Sequence, residues 1–201
     1  MLDGGYYAIK GFSFQFDRTI LALFDSADEQ KDVFIENIQD INSNDFVMQV
    51  KYKESQNYSD LKIRDPVLQL LEEYQKDNKQ KFVLYCHFKD KVPGVETIDL
   101  ERINSILKQS TGKSKEALNL NKRLAAFDQN QINAFIGNFT LFFAPDYDSQ
   151  FEKLLQLLMA LLLIVEVRSQ ENVGQFYLLR SEVGPGSHKT TRPQADSSLP
   201  H

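Results

Sequence analysis

VFIENIQDINSNDFVMQVKYK, residues 33–53, reads as two β-runs, about 33–40 and 46–53, joined by the polar turn Asn42-Ser43-Asn44-Asp45. Side chains alternate between the faces of a strand. That spacing puts Glu36, Ile38 and Asp40 on one face of the first run, and Gln49 and Lys51 on one face of the second. If the two runs pair, acids, an amide and an amine meet on a sheet otherwise built from Val, Ile, Phe and Met. Carboxylates and lysines seldom sit beside a core unless they are paired or hold a metal. The stretch therefore marks a candidate site as well as a sheet.

Outward from it, the chain alternates helix and strand. Upstream, residues 2–12 read as a glycine-punctuated entry loop around Gly4, Gly5 and Gly11. Phe16, Ile20, Leu23 and Phe24 then mark a helix from Ser13 to about Asp25, with Gln15 in its first turn. Downstream, Ser55–Arg64 reads as a loop and Asp65-Pro66 as a helix start, because Pro suits the first helical position. Lys81–Phe88 is an unbroken apolar run, as expected of a central strand buried on both faces. A strand–helix–strand connection of this length implies a right-handed crossover between parallel strands. Further on, Leu100–Leu107 and Ala117–Gly137 read as helical and Phe139–Phe143 as a strand. Asp148 or Ser149 is placed to cap a last helix reaching about Val165. The expected architecture is α/β, a mixed central sheet flanked by helices. Its core spans about 4–90 and a helical extension about 97–165, within one domain over 1–165. Residues 166–180 carry no assignment. Residues 181–201, rich in Gly, Pro, Ser and Thr, are expected to be disordered, and Gly186-Ser187-His188 resembles a vector-derived junction.

Composition narrows the classes. The chain has 201 residues, is 42% hydrophobic and carries a net charge of -5. That is enough apolar content for a packed core. The acidic balance disfavours a protein that coats nucleic acid through clustered Lys and Arg, yet leaves room for an enzyme with a local basic rim. The single cysteine, Cys86, excludes an internal disulfide and fits a reducing cytoplasm. It reads as a small buried hydrophobe. No signal peptide is visible, and Leu154–Val165 is short of the roughly 20 residues that a membrane span needs. That run reads as a core helix, with a dimer contact or an interface to a missing region as the alternative. His87, alone in an apolar strand, reads as a satisfied core histidine. No Cys/His cluster has zinc spacing.

The residues at the site have a definite chemical repertoire. Mg²⁺ or Mn²⁺ takes hard oxygen ligands and keeps several waters, so one or two carboxylates and a carbonyl suffice. Asp40 and Glu36 offer carboxylates, Gln49 an amide oxygen and Val50 a backbone carbonyl. Lys51 is a point charge able to contact a scissile phosphate or orient water. Lys51, Lys53, Lys62 and Arg64 form a modest basic set able to track a DNA backbone.

The string Asp40–x8–Gln49-Val50-Lys51, after a helix and before a helix–strand crossover, resembles the PD-(D/E)xK nuclease superfamily. The wider frame is Gly11-Phe12-Ser13-Phe14-Gln15 opening the first helix, Glu36–x3–Asp40, then Gln49-Val50-Lys51. It resembles the N-terminal double-stranded DNA endonuclease domain of bacterial anti-phage effectors, where that domain is fused to a cyclic-oligonucleotide sensor or an NTPase. The similarity covers about residues 4–90. It implies a restriction-endonuclease-like fold and a Mg²⁺-dependent endonuclease. Asp40 and Gln49 would be metal ligands, Lys51 the catalytic lysine, Glu36 a second acid, and Gln15 the polar residue that the first helix turns toward the site. Double-stranded DNA would be the substrate. A homo-oligomer or a further C-terminal sensor or NTPase region would be the partner. Two positions depart from the pattern: Gln39 stands where a proline precedes the acid, and Gln49 replaces the acid of the tripeptide.

Two other classes fit the same residues. One is a catalytically inactive module of this fold that grips DNA or a partner. The other is an assembly domain in which the 100–165 helices hold an oligomer together. For Asp40 and Lys51 the plain alternative is a cross-strand ion pair on a solvent face, worth about 0–1 kcal/mol.

Overall fold

Eight-residue strands β3 (Phe46–Lys53) and β4 (Lys81–Phe88) run parallel at the centre of the sheet, joined through helix α2 (Asp60–Lys76). The structure is a computed structural model that describes residues 4–25, 33–35 and 40–182. Among these are also α1 (Gly4–Asp25), β1 (Val33–Ile35), β2 (Ile41–Ser43), β5 (Gly94–Glu96), α3 (Leu100–Ile106), α4 (Lys115–Leu124), α5 (Gln129–Ile136), β6 (Phe139–Phe143) and α6 (Tyr147–Glu182). The strands form one six-stranded sheet in the order β1-β2-β3-β4-β6-β5. β3, β4 and β6 are mutually parallel, and the outer pairs β1–β2, β2–β3 and β5–β6 are antiparallel. The chain is α/β with a mixed sheet.

Strand alternation sorts the core into two layers. Val47, Phe82, Leu84, Cys86, Phe88, Phe139, Leu141 and Phe143 face one way and pack with Ile63, Val67, Leu70 and Leu71 of α2, Ile103 and Ile106 of α3 and Phe135 of α5. Met48, Val50 and Tyr85 face the other way, against Phe14 and Ala22 of α1 and Ala144. Each fully buried Leu, Ile or Phe adds about 1.5–3 kcal/mol of burial free energy, so the two-sided burial of β4 fixes the register of its neighbours. The chain divides into two compact units, Met1–Leu155 and Gln156–His201, with the boundary inside α6.

Several expected boundaries move, each for a physical reason. The entry loop is helical from Gly4. Lys10 lies over the rings of Tyr6, Tyr52 and Tyr147 and pairs with Glu54, which anchors the first turns of α1. Gly11 has open space where a Cβ would stand, so it signals neither a turn nor a close approach. The expected four-residue turn at 42–45 is half strand. Asn42 and Ser43 are buried in β2, and the Ser43 hydroxyl accepts from the backbone N–H groups of Asp45 and Phe46, tightening the reversal to Asn44-Asp45. β3 therefore pairs with Ile41 and Asn42, while Val33–Ile35 pairs with β2 instead of β3.

α2 begins at Asp60, not at Asp65-Pro66, and keeps Pro66 inside it. A proline in a helix interior costs about 3 kcal/mol. Contacts N-terminal to it offset this. Ile63 is fully buried, and the Asp60 carboxylate accepts from Tyr58 (2.8 Å) and Ser105 (2.6 Å) and pairs with Arg102 at 3.1 Å. The 117–137 segment is two helices, broken where Asp128 builds a capping box with Gln131. Gly94, at a φ of 149° that favours glycine, opens the unexpected strand β5. α6 is capped by Asp146, whose carboxylate accepts from Ser149 N at 2.8 Å, rather than by Asp148 or Ser149. That bond holds the Asp146 carboxyl below its ordinary value.

α6 runs on to Glu182, and its apolar stretch is not a core helix. Leu154 is buried, but Leu155, Met159, Leu161, Leu162, Leu163 and Ile164 are exposed. Among the described residues no helix is long and apolar enough to cross a membrane. Cys86 is fully buried, and burial pushes its thiol up to about 12, so it is an inert apolar filler. His87 is a satisfied core histidine as expected, with Nδ1 3.1 Å from the Ala144 carbonyl and its ring stacked on Tyr52. Of the expected disordered tail, Ser181 and Glu182 belong to α6 and residues 183–201 lie outside the described residues.

Candidate functional site

The candidate residues gather where the antiparallel hairpin gives way to the parallel strands. β2 pairing with β3 ends at Ile41–Met48. The next β3 backbone donor on that side, Val50 N–H, bonds the Asp40 side chain instead, at 2.6 Å to Oδ2. Asp40 thus closes the ladder with one carboxylate oxygen and leaves Oδ1 outside that bond. Ile41 belongs to the α1 layer. Asp40 itself stands outside β2, and its bond to Val50 N–H holds its carboxylate at the β3 backbone between Gln49 and Lys51, which face the α2 layer.

On that face Gln49 stands beside Leu84 and Lys51 beside Cys86, both strand partners fully buried. Gln49 is only 3% exposed. Its Nε2 donates to Gln69 Oε1 of α2 at 2.6 Å, and its Oε1 is buried with no hydrogen-bond partner. An unpaired buried acceptor costs about 1–3 kcal/mol. Most buried polar groups avoid that cost, so the oxygen calls for a partner of its own. Lys51 is half-buried and forms no ion pair or side-chain hydrogen bond among the described residues. The cross-strand ion pair with Asp40 does not form.

The other candidates are dispersed. Glu36 lies outside the described residues. Gln15 sits half-buried on α1, whose core residues pack on the opposite face of the sheet, and no hydrogen bond links its side chain to Asp40, Gln49 or Lys51. Lys53 ends β3 on the face of Lys51. Lys62 is exposed and donates to the Asn57 carbonyl at 2.6 Å, and Arg64 donates to the Lys108 carbonyl at 2.7 Å. These last two charges are thus held by backbone carbonyls before α2 and after α3.

Gln69 continues into an arrangement that reaches from β3 through α2 to α4. Its Nε2 donates to Asp65 Oδ2 at 3.0 Å, and Arg123 of α4 donates from Nη1 to Asp65 Oδ1 at 2.7 Å. Arg123 also makes a two-pronged bond to Glu72, at 2.7 and 2.8 Å, and these carboxylates raise its pKa. The Asp65-x3-Gln69 spacing is a legible helix i,i+4 contact. Its links to Gln49 and Arg123 depend on packing. Asp65 and Arg123 also line a cavity of about 510 Å³ between α2 and α4, together with Arg64 and Ser114. Two further cavities of about 450 Å³ lie over Met48 and Val83, on the α1 side. Asp40, Gln49 and Lys51 line none of the three.

Asp40 and Gln49 fit a hard divalent cation by donor type: a carboxylate oxygen, and a buried amide oxygen that has no other partner. No group of three or more His, Cys, Asp or Glu side chains suited to a metal occurs among the described residues. No protein-family model, curated protein or solved structure matches this chain.

Proposed function

We propose that this chain is a metal-dependent DNA endonuclease domain of restriction-endonuclease-like fold. It would hydrolyse phosphodiester bonds in double-stranded DNA as the effector module of a cytoplasmic anti-phage defence system. The observation that carries the reading is the buried, unpartnered Gln49 Oε1 on the sheet face that also bears Lys51, beside a carboxylate locked by Val50 N–H. Asp40 and Gln49 would hold Mg²⁺ or Mn²⁺, with the Val50 carbonyl and Glu36 as further candidates. When bound, the cation neutralises phosphoryl charge and acidifies water. Asp40 keeps its place because one oxygen is pinned to the backbone. Lys51, without a protein counter-charge among the described residues, offers its ammonium to a phosphate oxygen. Lys53 continues that positive edge along β3.

A second reading has its own support. The Asp40–Val50 bond is also what a purely structural ladder cap would look like, which fits an inactive module of the same fold that binds DNA or assembles through its helices. A plasmid assay separates the two. The endonuclease nicks or linearises supercoiled DNA with Mg²⁺ or Mn²⁺. Lys51→Ala and Asp40→Asn each lower the rate about a hundredfold or more, the scale of losing one transition-state contact. The asparagine keeps an acceptor for Val50 N–H, so a loss there reports charge and not folding. Wild-type protein that leaves DNA intact at high concentration, yet retards it equally with EDTA and in Lys51→Ala, establishes the inactive module instead.

A further inference from the structure

The direction of the Gln49 amide follows from a chain of donors and acceptors that ends on helix α4. Arg123 has only donors and a carboxylate only acceptors. Arg123 Nη1 claims Asp65 Oδ1 at 2.7 Å, which leaves Asp65 Oδ2 to accept from Gln69 Nε2 at 3.0 Å. With its NH₂ group committed there, Gln69 presents Oε1 to the sheet. Gln49 must then answer with Nε2, at 2.6 Å, and its own Oε1 is left over. Reversing any one link reverses every link below it. Arg123 itself is fixed by the fork to Glu72 at 2.7 and 2.8 Å, so the upper end of the chain does not swivel.

We infer that Gln69, Asp65 and Arg123 are positioning residues, an orienting relay that turns the Gln49 amide so that its oxygen, not its nitrogen, is presented as a ligand. The use of that oxygen rests on the endonuclease reading; the orientation itself does not. Had Gln49 been an aspartate or glutamate, either oxygen would serve and no relay would be needed. An amide at that position makes the relay necessary, since its nitrogen end repels a cation.

The relay can be inverted without touching the site. In Asp65→Asn, Arg123 still takes the side-chain oxygen, so the substituted amide offers its NH₂ to Gln69. Gln69 turns over, and Gln49 must accept through Oε1 and present Nε2. Asp65 is 55% exposed, so this isosteric change is compatible with folding. The double variant Asp65→Asn/Gln69→Glu restores the original sense, because a carboxylate at 69 accepts from both neighbours. Hydrogen exchange of the Gln49 side-chain NH₂, followed by NMR in metal-free protein, reads the orientation directly. Protection is expected in wild type, lost in Asp65→Asn, and regained in the double variant. Mn²⁺ titration of the same three proteins is expected to show affinity about tenfold weaker in Asp65→Asn, the usual cost of a disturbed supporting contact, and recovery in the double variant. Unchanged Gln49 protection in Asp65→Asn overturns the relay, and if Mn²⁺ still binds, the endonuclease reading survives it. Protection that follows the three proteins while none of them binds Mn²⁺ upholds the relay and removes the metal-site reading.

Discussion

Gln49 and Gln150 are both glutamines buried to within a few per cent, on opposite faces of one sheet, and they are treated differently. Gln150 of α6 uses both ends of its amide. Oε1 accepts from the Tyr85 hydroxyl at 2.9 Å, and Nε2 donates to the Phe14 carbonyl at 2.8 Å, tying α1, β4 and α6 together. Gln49 uses only its nitrogen. A buried amide satisfied at both ends stabilises a fold; one satisfied at a single end is a standing cost unless something else completes it. The contrast separates a structural polar group from a functional candidate without appeal to any relative.

The contrast can be broken by substitution, the largest effect first. Gln150→Leu strands the Tyr85 hydroxyl and weakens the hold on α1. It should cost about 2–3 kcal/mol in urea unfolding, and a loss under about 1 kcal/mol would show that the α1 face does not depend on it. Asp17 tests an exception on that same face. It is buried with Oδ2 unpartnered, and burial raises its pKa. A raised carboxyl pKa means the folded state keeps its proton to higher pH than the unfolded chain. Stability therefore falls as pH rises through the window above the ordinary carboxylate value. Asp17→Asn should then be more stable than wild type at about pH 7, by about 1 kcal/mol, with the gain shrinking toward about pH 4. A gain that is the same at both pH values would point to packing instead of charge. Gln49→Met should change stability least, by less than about 1 kcal/mol, because loss of the Nε2 bond to half-buried Gln69 is offset by removal of the buried, unpaired oxygen, while plasmid cleavage is lost. A large loss of stability there would place Gln49 in the same category as Gln150.

The legibility of the chain follows the range of the forces involved. β4 is readable because burial on both faces demands a run such as Phe82–Phe88, and β6 because Phe139, Leu141 and Phe143 recur at period two on one buried face. β2 is hidden because Asn42 and Ser43 have turn chemistry, and the Ser43 hydroxyl does make a turn, one residue later than the composition suggests. The start of α2 is hidden because Asp65-Pro66 is a strong local signal overruled by Ile63 burial and by Ser105 and Arg102, which lie far along the chain. At the site, Asp40, Gln49 and Lys51 are readable from period-two spacing around one reversal. The bonds of Gln69 to Gln49 and of Asp65 to Arg123 are not, since they exist only after α2 packs on β3 and α4 on α2. The side-chain grouping of Glu36 with Asp40 rested on a strand through 40, whereas Asp40 stands outside β2 and β1 is described only to Ile35.

The β5 margin of the sheet is a three-residue strand, Gly94–Glu96, antiparallel to its neighbour. So short an edge offers too few unpaired backbone groups to template a further strand, which is a common protection against edge-to-edge polymerisation. Copies of this chain are thereby steered away from joining through that margin. Helical surfaces are the alternative, and α6 exposes Leu155, Met159, Leu161, Leu162, Leu163 and Ile164. Such contacts bury side chains rather than extend a ladder, so they close at a fixed number of subunits more readily than they grow into fibres.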